Sequence, residues 1–156
     1  MLLPWQHAFA GPSYTPSVAF WSRWHLREYY TPTSDSIPGN DDYGTLSAWG
    51  VFTYLGLYPV AGTSLFILGS PIFASAVITA PSMYARYGVP VGEAAVFTLR
   101  ITCTNASAGN IYVSAVRVNG QQALKQPFVT WDVLWPSESG GDALIEFDMV
   151  PTPTLW

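Results

Sequence analysis

The stretch from Tyr43 to Ala85 carries no charged side chain, and this constrains the fold more than any other feature of the sequence. A hydropathy window would mark it as a membrane span, but a span needs about 20 uninterrupted apolar residues. Glycines and prolines cut the stretch into shorter pieces, at Gly50, Gly56, Pro59, Gly62, Gly69, Pro71 and Pro81. We therefore expect no membrane span, but a helix and strands buried on more than one side, between packed layers or against another domain.

Composition narrows the class of protein further. A chain of 156 residues allows one domain, or one domain with a small second piece. Charged residues make up only 10% of it, against roughly 25% in an ordinary soluble domain. With six basic residues and a net charge of −4, too few cations are present to neutralise a run of phosphates. We therefore exclude nucleic acid as a partner, and the single Cys103 excludes an internal disulfide.

Two helices are predicted in the first part of the chain. Thr15 is a suitable N-cap and Pro16 suits the first helical position, so a helix is predicted from Ser17 to Tyr30. Its inner stripe and flank are expected to contain Val18, Trp21, His25, Glu28, Phe20, Trp24 and Arg27. A second helix is predicted over about Gly44 to Leu57. The residues expected on its inner face are Leu46, Trp49, Val51, Phe52 and Leu55.

After Gly62 the apolar residues alternate, and this pattern predicts strands. In the clearest strand, Ala95–Thr104, one face carries Phe97, Leu99, Ile101 and Cys103. The other predicted strands are Leu65–Leu68, Ala76–Thr79, Ile111–Val118 and Ala143–Met149. Asn119-Gly120 favours a tight turn, and a short helix is expected near Trp131 to Leu134. The second part is therefore predicted to form an antiparallel sheet.

These elements divide the chain at residue 62. Residues 1–62 are predicted to form a helical segment that contains a polar loop, and residues 63–156 a β-rich C-terminal subdomain. Helices followed by an antiparallel β-sheet layer define the fold class as α+β.

The densest polar cluster is Asn40-Asp41-Asp42, which follows the stiff turn Pro38-Gly39 and precedes the second helix. Two carboxylates and one amide are oxygen ligands suited to a hard cation such as calcium, and a carboxylate is also a base that can activate water. The helix dipole would keep these carboxylates ionised, which suits a base and not an acid. The alternative is an ordinary helix cap made by Asp42, with Asp41 solvated.

Other chemical signatures are scarce. The sequence has no Gly-x-Ser-x-Gly elbow, no phosphate-binding glycine loop and no Cys/His pair. His25, between Trp24 and Leu26, is interpreted as a packed imidazole and not as a ligand. Asn105-Ala106-Ser107 fits the N-glycosylation pattern, which makes Asn105 a glycosylation candidate in a secreted protein.

The polar loop belongs to a longer recognisable stretch. It reads Ile37-Pro38-Gly39-Asn40-Asp41-Asp42-Tyr43-Gly44, followed by Leu46-Ser47-Ala48-Trp49 and by Leu55-Gly56-Leu57-Tyr58-Pro59-Val60. This stretch resembles glycoside hydrolase family 92, whose members are calcium-dependent exo-acting α-mannosidases. The resemblance continues into Gly140-Gly141-Asp142-Ala143-Leu144 and covers most of the chain, from about Pro4 to Pro151.

The resemblance implies hydrolysis of terminal α-mannosides, including those of N-glycans, with inversion of configuration. In that mechanism a general acid and a general base lie on opposite faces of the sugar, roughly 6.5–9.5 Å apart. The position of Asp42 corresponds to the favoured general base, and Asp41 is the second choice. Asn40 is expected to bind substrate by holding the water, or to ligate calcium together with Asp42.

The departures from the family are equally informative. The family's acidic, histidine-containing calcium motif, its general-acid glutamate, most of its helical (α/α) barrel and its N-terminal β-sandwich domain have no counterpart in this chain. The helices would then be remnants of that barrel, and the chain alone is expected to be inactive, with the missing domains as its partners. The alternative is a non-catalytic carbohydrate-binding or partner-dependent module. Family members are secreted or periplasmic, whereas the start of this chain shows no export signal.

Overall fold

The computed structural model describes residues 3–34, 36–81, 96–121, 124–135 and 140–156. The end of the charge-free stretch after Pro81 and the first residue of the predicted strand Ala95–Thr104 lie outside the described residues. The described residues form α-helices and two β-sheets. The predicted α+β class is therefore confirmed.

Three helices build the first part of the chain. The helix α1 (Leu3–Gln6) leads through two 3₁₀ turns, His7–Ala10 and Pro12–Tyr14, into α2 (Thr15–Tyr29). After the polar loop comes α3 (Thr45–Leu55), which begins after Gly44 and ends before Gly56, both with left-handed backbone. The predicted cap at Thr15 is wrong, because Thr15 is the first helical residue and its hydroxyl donates to the Pro12 carbonyl at 2.9 Å.

The buried face of α2 is not the predicted one. Its buried residues are Thr15, Val18, Ala19, Ser22 and Leu26. Trp21 and Phe20, which were expected to face inward or nearly so, are 41% and 42% exposed. Small side chains face the core here because they let the helix approach its neighbours closely. In α3, Trp49 is buried as predicted, whereas Val51 is 57% exposed and that assignment is wrong.

Two sheets follow. The first has three short antiparallel strands in the order β1 (Leu57–Pro59), β2 (Leu65–Leu68) and β6 (Phe128–Thr130). The second contains β3 (Ser75–Pro81), β4 (Val96–Thr104), β5 (Tyr112–Val118) and β7 (Gly141–Val150). A short helix, α4 (Trp131–Leu134), follows β6 at its predicted position. The three-residue strands β1 and β6 were not predicted, because so few residues show no alternation.

The second sheet has the order β3-β4-β7-β5. The strand β7 lies between β4 and β5, so the turn after β4 does not join two paired strands. The strand β7 runs antiparallel to β5 and parallel to β4, so the sheet that was predicted to be antiparallel contains one parallel pair. The alternation predicted for β4 and β7 is confirmed, with every second residue buried along β4 and, from Ala143 onward, along β7.

The strand β2 separates two hydrophobic clusters. Ile67 packs in a cluster with Trp5, Val18 and other residues of the helices. The next residue, Leu68, belongs to the larger cluster formed by the sheets and α4. Successive side chains of a strand point to opposite faces, so one short strand contributes to both clusters.

A guanidinium group connects the helices to the sheets. Arg23 of α2 donates from Nε to the Ser70 hydroxyl at 2.9 Å and from Nη2 to the Pro71 carbonyl. The Ser70 hydroxyl donates in turn to the carbonyl of Ile111, just before β5, at 2.6 Å. The predicted domain division at residue 62 falls in the turn of the β1–β2 hairpin and stays a prediction. No helix in the described ranges has the length and apolar character to cross a membrane.

Two glycines with left-handed backbone provide a test of this packing. A Cβ at Gly56 would lie 2.5 Å from Pro71, whereas a Cβ at Gly62 meets nothing within 4 Å. Both alanine variants are strained by a positive φ, at roughly 1–2 kcal/mol. Gly56→Ala should lose about 1–3 kcal/mol more, because its side chain collides with backbone. Urea unfolding of the two variants measures the difference, and equal losses would contradict this close approach.

Candidate active site

The candidate site is the loop of Asn40, Asp41 and Asp42 at the start of α3. Three successive residues after Asp41 have left-handed backbone: Asp42 at φ 39°, Tyr43 at φ 60° and Gly44 at φ 80°. Side chains other than glycine rarely adopt this conformation, and such strain persists only where the surroundings fix it. The anchor in this loop is Asp41.

Asp41 holds the loop against the first turn of α3. Its Oδ1 accepts from the Ser47 backbone N–H at 2.8 Å and its Oδ2 from the Ser47 hydroxyl at 2.7 Å. Its carbonyl oxygen accepts from the Thr45 N–H at 2.9 Å. The Ser47 hydroxyl, and then the Ser47 N–H, hold the pKa of the Asp41 carboxyl below its ordinary value. Asp41 therefore makes the helix cap that the alternative interpretation assigned to Asp42.

Asp42 presents its carboxylate to solvent. The residue is exposed, and no described residue forms a hydrogen bond or ion pair with its side chain. The side chain of Asp41 bonds the first turn of α3 through Ser47, whereas Asp42 contributes only its backbone carbonyl, which accepts from the Thr45 N–H at 3.3 Å. Asn40 is likewise exposed, and the side chain of Tyr43 is fully open. In this loop the Asp41 carboxylate accepts hydrogen bonds from Ser47, and the neighbouring Asp42 carboxylate accepts none from the described residues.

The acidic residues of this loop do not complete a metal site. Within the described part of the chain, no group of three His, Cys, Asp or Glu side chains is placed to hold an ion. Asn40 and Asp42 supply exposed oxygen atoms, which calcium accepts, but calcium takes 6–8 oxygen ligands. These residues can contribute to a calcium site and do not form one by themselves.

The other residues singled out in the sequence lie apart from this loop's hydrogen bonds. His25 is half-buried among Trp24, Tyr29 and Trp49, and its Nδ1 donates to the Trp21 carbonyl at 2.7 Å. Because that bond is local to the helix, it agrees with a packed imidazole. Asn105 is exposed at the end of β4, with φ 58°, and remains a glycosylation candidate.

A cleft of about 450 Å³ was not expected from the sequence. It lies between α2, the end of α3 and the segment before β5. Its lining comprises Phe20, Arg23, Trp24, Leu26, Arg27, Tyr30, Tyr54, Ile72, Ser107, Ala108 and Ile111. Burial lowers the pKa of Arg23 to about 10, and burial raises the pKa of the nearby Cys103 thiol to about 11. At neutral pH the arginine is therefore charged and the thiol is neutral.

Known proteins resemble this chain over almost its whole length. Residues 1–151 match the model of the family described as the glycosyl hydrolase family 92 catalytic domain. Together with the fold and the exposed carboxylate loop, this match defines the class as part of a glycoside hydrolase catalytic domain. The chain belongs to glycosyl hydrolase family 92.

Solved structures of this family share the fold. An α-mannosidase of family GH92 from Bacteroides thetaiotaomicron, in complex with mannoimidazole, is 26% identical with a TM-score of 0.69, covering 91% of this chain and 16% of that one. The family GH92 inverting mannosidase from Bacteroides thetaiotaomicron VPI-5482 is 24% identical with a TM-score of 0.63, covering 92% and 17%. At 24% identity the second likeness shows the fold alone.

One curated relative is similar in sequence. It is described as an uncharacterized secreted glycosidase from Arthroderma benhamiae and is 27% identical over 98 residues, which are 63% of this chain and 11% of that protein. The chain therefore spans between 11% and 17% of the length of these relatives.

The Asp41 cap can be tested by titration. Ser47→Ala should raise the pKa of the Asp41 carboxyl toward its ordinary 3.8, because a hydrogen bond that favours the charged form is lost. Ser47→Thr keeps the hydroxyl and should keep the pKa low. Since the folded-state pKa is the lowered one, the stability contributed by Asp41 is present above the unfolded value and is lost as the pH falls through the folded value. NMR titration of the carboxyl carbon measures both variants, and an unchanged pKa in Ser47→Ala would contradict the cap.

Proposed function

We propose that this chain supplies the base-bearing part of a glycosidase active site that hydrolyses terminal α-mannosides with inversion. One observation carries the assignment: the Asp42 carboxylate is exposed and has no hydrogen-bond partner among the described residues, on a turn that Asp41 fixes. A general base needs an ionised oxygen that water can reach, held in a defined position. Among the residues of the loop, Asp42 has a carboxylate that is open to water and that lies on a turn held in place by Asp41.

In this mechanism Asp42 accepts a proton from a water molecule. The water attacks the anomeric carbon from the face opposite the leaving group, and this inverts the configuration. A general acid on the other face, roughly 6.5–9.5 Å from the base, protonates the leaving oxygen. We assign that acid to residues beyond this chain.

The neighbouring residues receive supporting roles. Asp41 is the second choice for the base, because both of its oxygens already accept hydrogen bonds from Ser47. These bonds lower the pKa of its carboxyl and so weaken it as a proton acceptor. Asn40, exposed on the other side of Asp41, is proposed to hold the attacking water or a substrate hydroxyl through its amide.

Calcium is the proposed cofactor of the longer enzyme. Asn40 and Asp42 would supply two of its oxygen ligands, and the other ligands would come from outside the described residues. The chemistry it would add is binding and polarisation of sugar hydroxyls.

Substrate, partner and location are proposed by analogy with the relatives. The two solved relatives carry mannosidase in their descriptions, so terminal α-mannosides, including those of N-glycans, are the proposed substrates. The proposed partner is the remainder of a longer hydrolase, since this chain spans about a sixth of the solved relatives. Secretion is proposed because a relative is described as a secreted glycosidase.

The chain of 156 residues should show no α-mannosidase activity by itself. The reason is that water attack without protonation of the leaving oxygen leaves a poor leaving group in place. The probe is 4-nitrophenyl α-mannoside. Its leaving group depends less on protonation by a general acid than a sugar alcohol does, so it would reveal weak activity most sensitively. Turnover by the purified chain that disappears in Asp42→Asn would overturn the proposed dependence on an external acid.

In the longer hydrolase, Asp42→Asn should lower kcat on the order of 10²–10⁴-fold, the usual contribution of a positioned base. The fold should persist, because the cap on α3 is made by Asp41. KM with an aryl α-mannoside and the thermal midpoint are measured beside kcat.

Asp41→Asn is the neighbouring control. It should cost less in kcat and more in thermal stability, because it removes the charge that caps the helix. If Asp42→Asn retained near-normal kcat while Asp41→Asn lost activity, the base would be Asp41.

A further inference from the structure

The cleft beside α2 is lined by both cationic and apolar side chains. Two of the six basic residues of the chain, Arg23 and Arg27, line it. Trp24, Tyr54 and Ile72 contribute aromatic and aliphatic surface. Among the described residues that line it there is no carboxylate, although the chain as a whole has a net charge of −4.

Arg23 keeps unused donors in this cleft. A guanidinium has five N–H groups. Two of them are used, on the Ser70 hydroxyl and the Pro71 carbonyl. Within the described residues no acceptor is found for the other three, and the nearby Cys103 thiol is neutral because burial raises its pKa. A half-buried cation without an anion nearby is unfavourable unless something from outside compensates it.

Arg27 lines the same cleft and is the more exposed of the two arginines. Its Nε donates to Glu28 Oε1 at 2.9 Å, and both side chains are exposed to solvent. Exposed pairs of this kind contribute little net stability, so Arg27 can reorient toward another anion at small cost.

We propose that this cleft binds a sugar unit bearing an oxyanion, either a carboxylate or a phosphate ester. The oxyanion pairs with the free edge of Arg23 and with Arg27, since a planar guanidinium matches both groups in a bidentate arrangement. The sugar ring lies against Trp24 and Tyr54, whose flat apolar surfaces fit the C–H face of a pyranose. Asn40, Asp41 and Asp42 do not line the cleft, so this site is separate from the proposed base and does not rest on it.

Binding is measured on the natural-length protein that carries this chain, by saturation-transfer NMR and isothermal titration. The probes are glucuronate, glucose 6-phosphate and neutral glucose. One or both anionic sugars should bind at least about tenfold more tightly than glucose, the ratio expected for a charge-assisted hydrogen-bonded pair. The two anionic probes distinguish a carboxylate from a phosphate ester as the preferred group.

Three variants locate the binding. Arg23→Gln should lower the affinity about tenfold or more. Arg100→Gln removes an exposed arginine on β4 that does not line the cleft, and it should change nothing. Because Arg23 also joins helix and sheets, Arg27→Gln serves as the second variant. It leaves those bonds in place and should lower the affinity about threefold, in the range of a partly exposed charge pair.

Two results would overturn the proposal. One is equal affinity for glucose and for both anionic sugars, and the other is an Arg27→Gln protein that binds like Arg100→Gln. Asp42→Asn should leave the affinity for the anionic sugar unchanged, so failure of this site and failure of the proposed catalytic base are told apart by separate measurements.

Discussion

The Arg23 guanidinium is the contact on which the arrangement of the other elements depends. It fixes α2 to the segment between β2 and β3, and through Ser70 to the residue before β5. Ser70 is 1% exposed, so its hydroxyl has no access to water as a substitute partner. Losing the arginine would leave the Pro71 carbonyl buried without a donor, which costs more than the net gain from the bond itself. The position of α2 in turn determines where Tyr30, at its C-terminal end, contacts α3.

At the C-terminal end of α2, Tyr30 contacts the first half of α3 and so fixes the candidate site relative to α2. Its hydroxyl donates to the Leu46 carbonyl in the first turn of α3 at 2.8 Å, and its ring stacks on Trp49. Burial, with a smaller effect from the Asp41 charge, raises the pKa of Tyr30 to about 12, so the hydroxyl stays a donor at neutral pH. Since Asp41 caps the same turn, the loop is placed by a chain of contacts that begins in the sheets.

The predictions from sequence were right where the determining information is local. The alternation of Phe97, Leu99 and Ile101 is visible in the strand itself, and the same face is buried. The pairing of β7 between β4 and β5 depends on residues far apart in sequence, and no local pattern specifies it. The outer face of α2 was mispredicted because apolarity was taken to mean burial, whereas the residues that pack there include the small Ala19 and Ser22. In the loop, sequence identified the right residues but not which carboxylate caps the helix, since that depends on the left-handed turn at Asp42.

Asp41 caps the helix and Asp42 is the proposed base, and a single carboxylate would perform both tasks poorly. A carboxylate that accepts hydrogen bonds from a helix start is stabilised in its charged form, and the same stabilisation weakens it as a proton acceptor. Asp41 accepts two bonds from Ser47 and thereby holds the strained turn. The Asp42 carboxylate forms none with the described residues, so its oxygen atoms are open to water or an ion. Because the anchor is the preceding residue, Asp42 is held in position without a hydrogen bond from its carboxylate to any described residue. The strain of its left-handed backbone is therefore balanced by the contacts of Asp41, which leave the Asp42 carboxylate open to solvent.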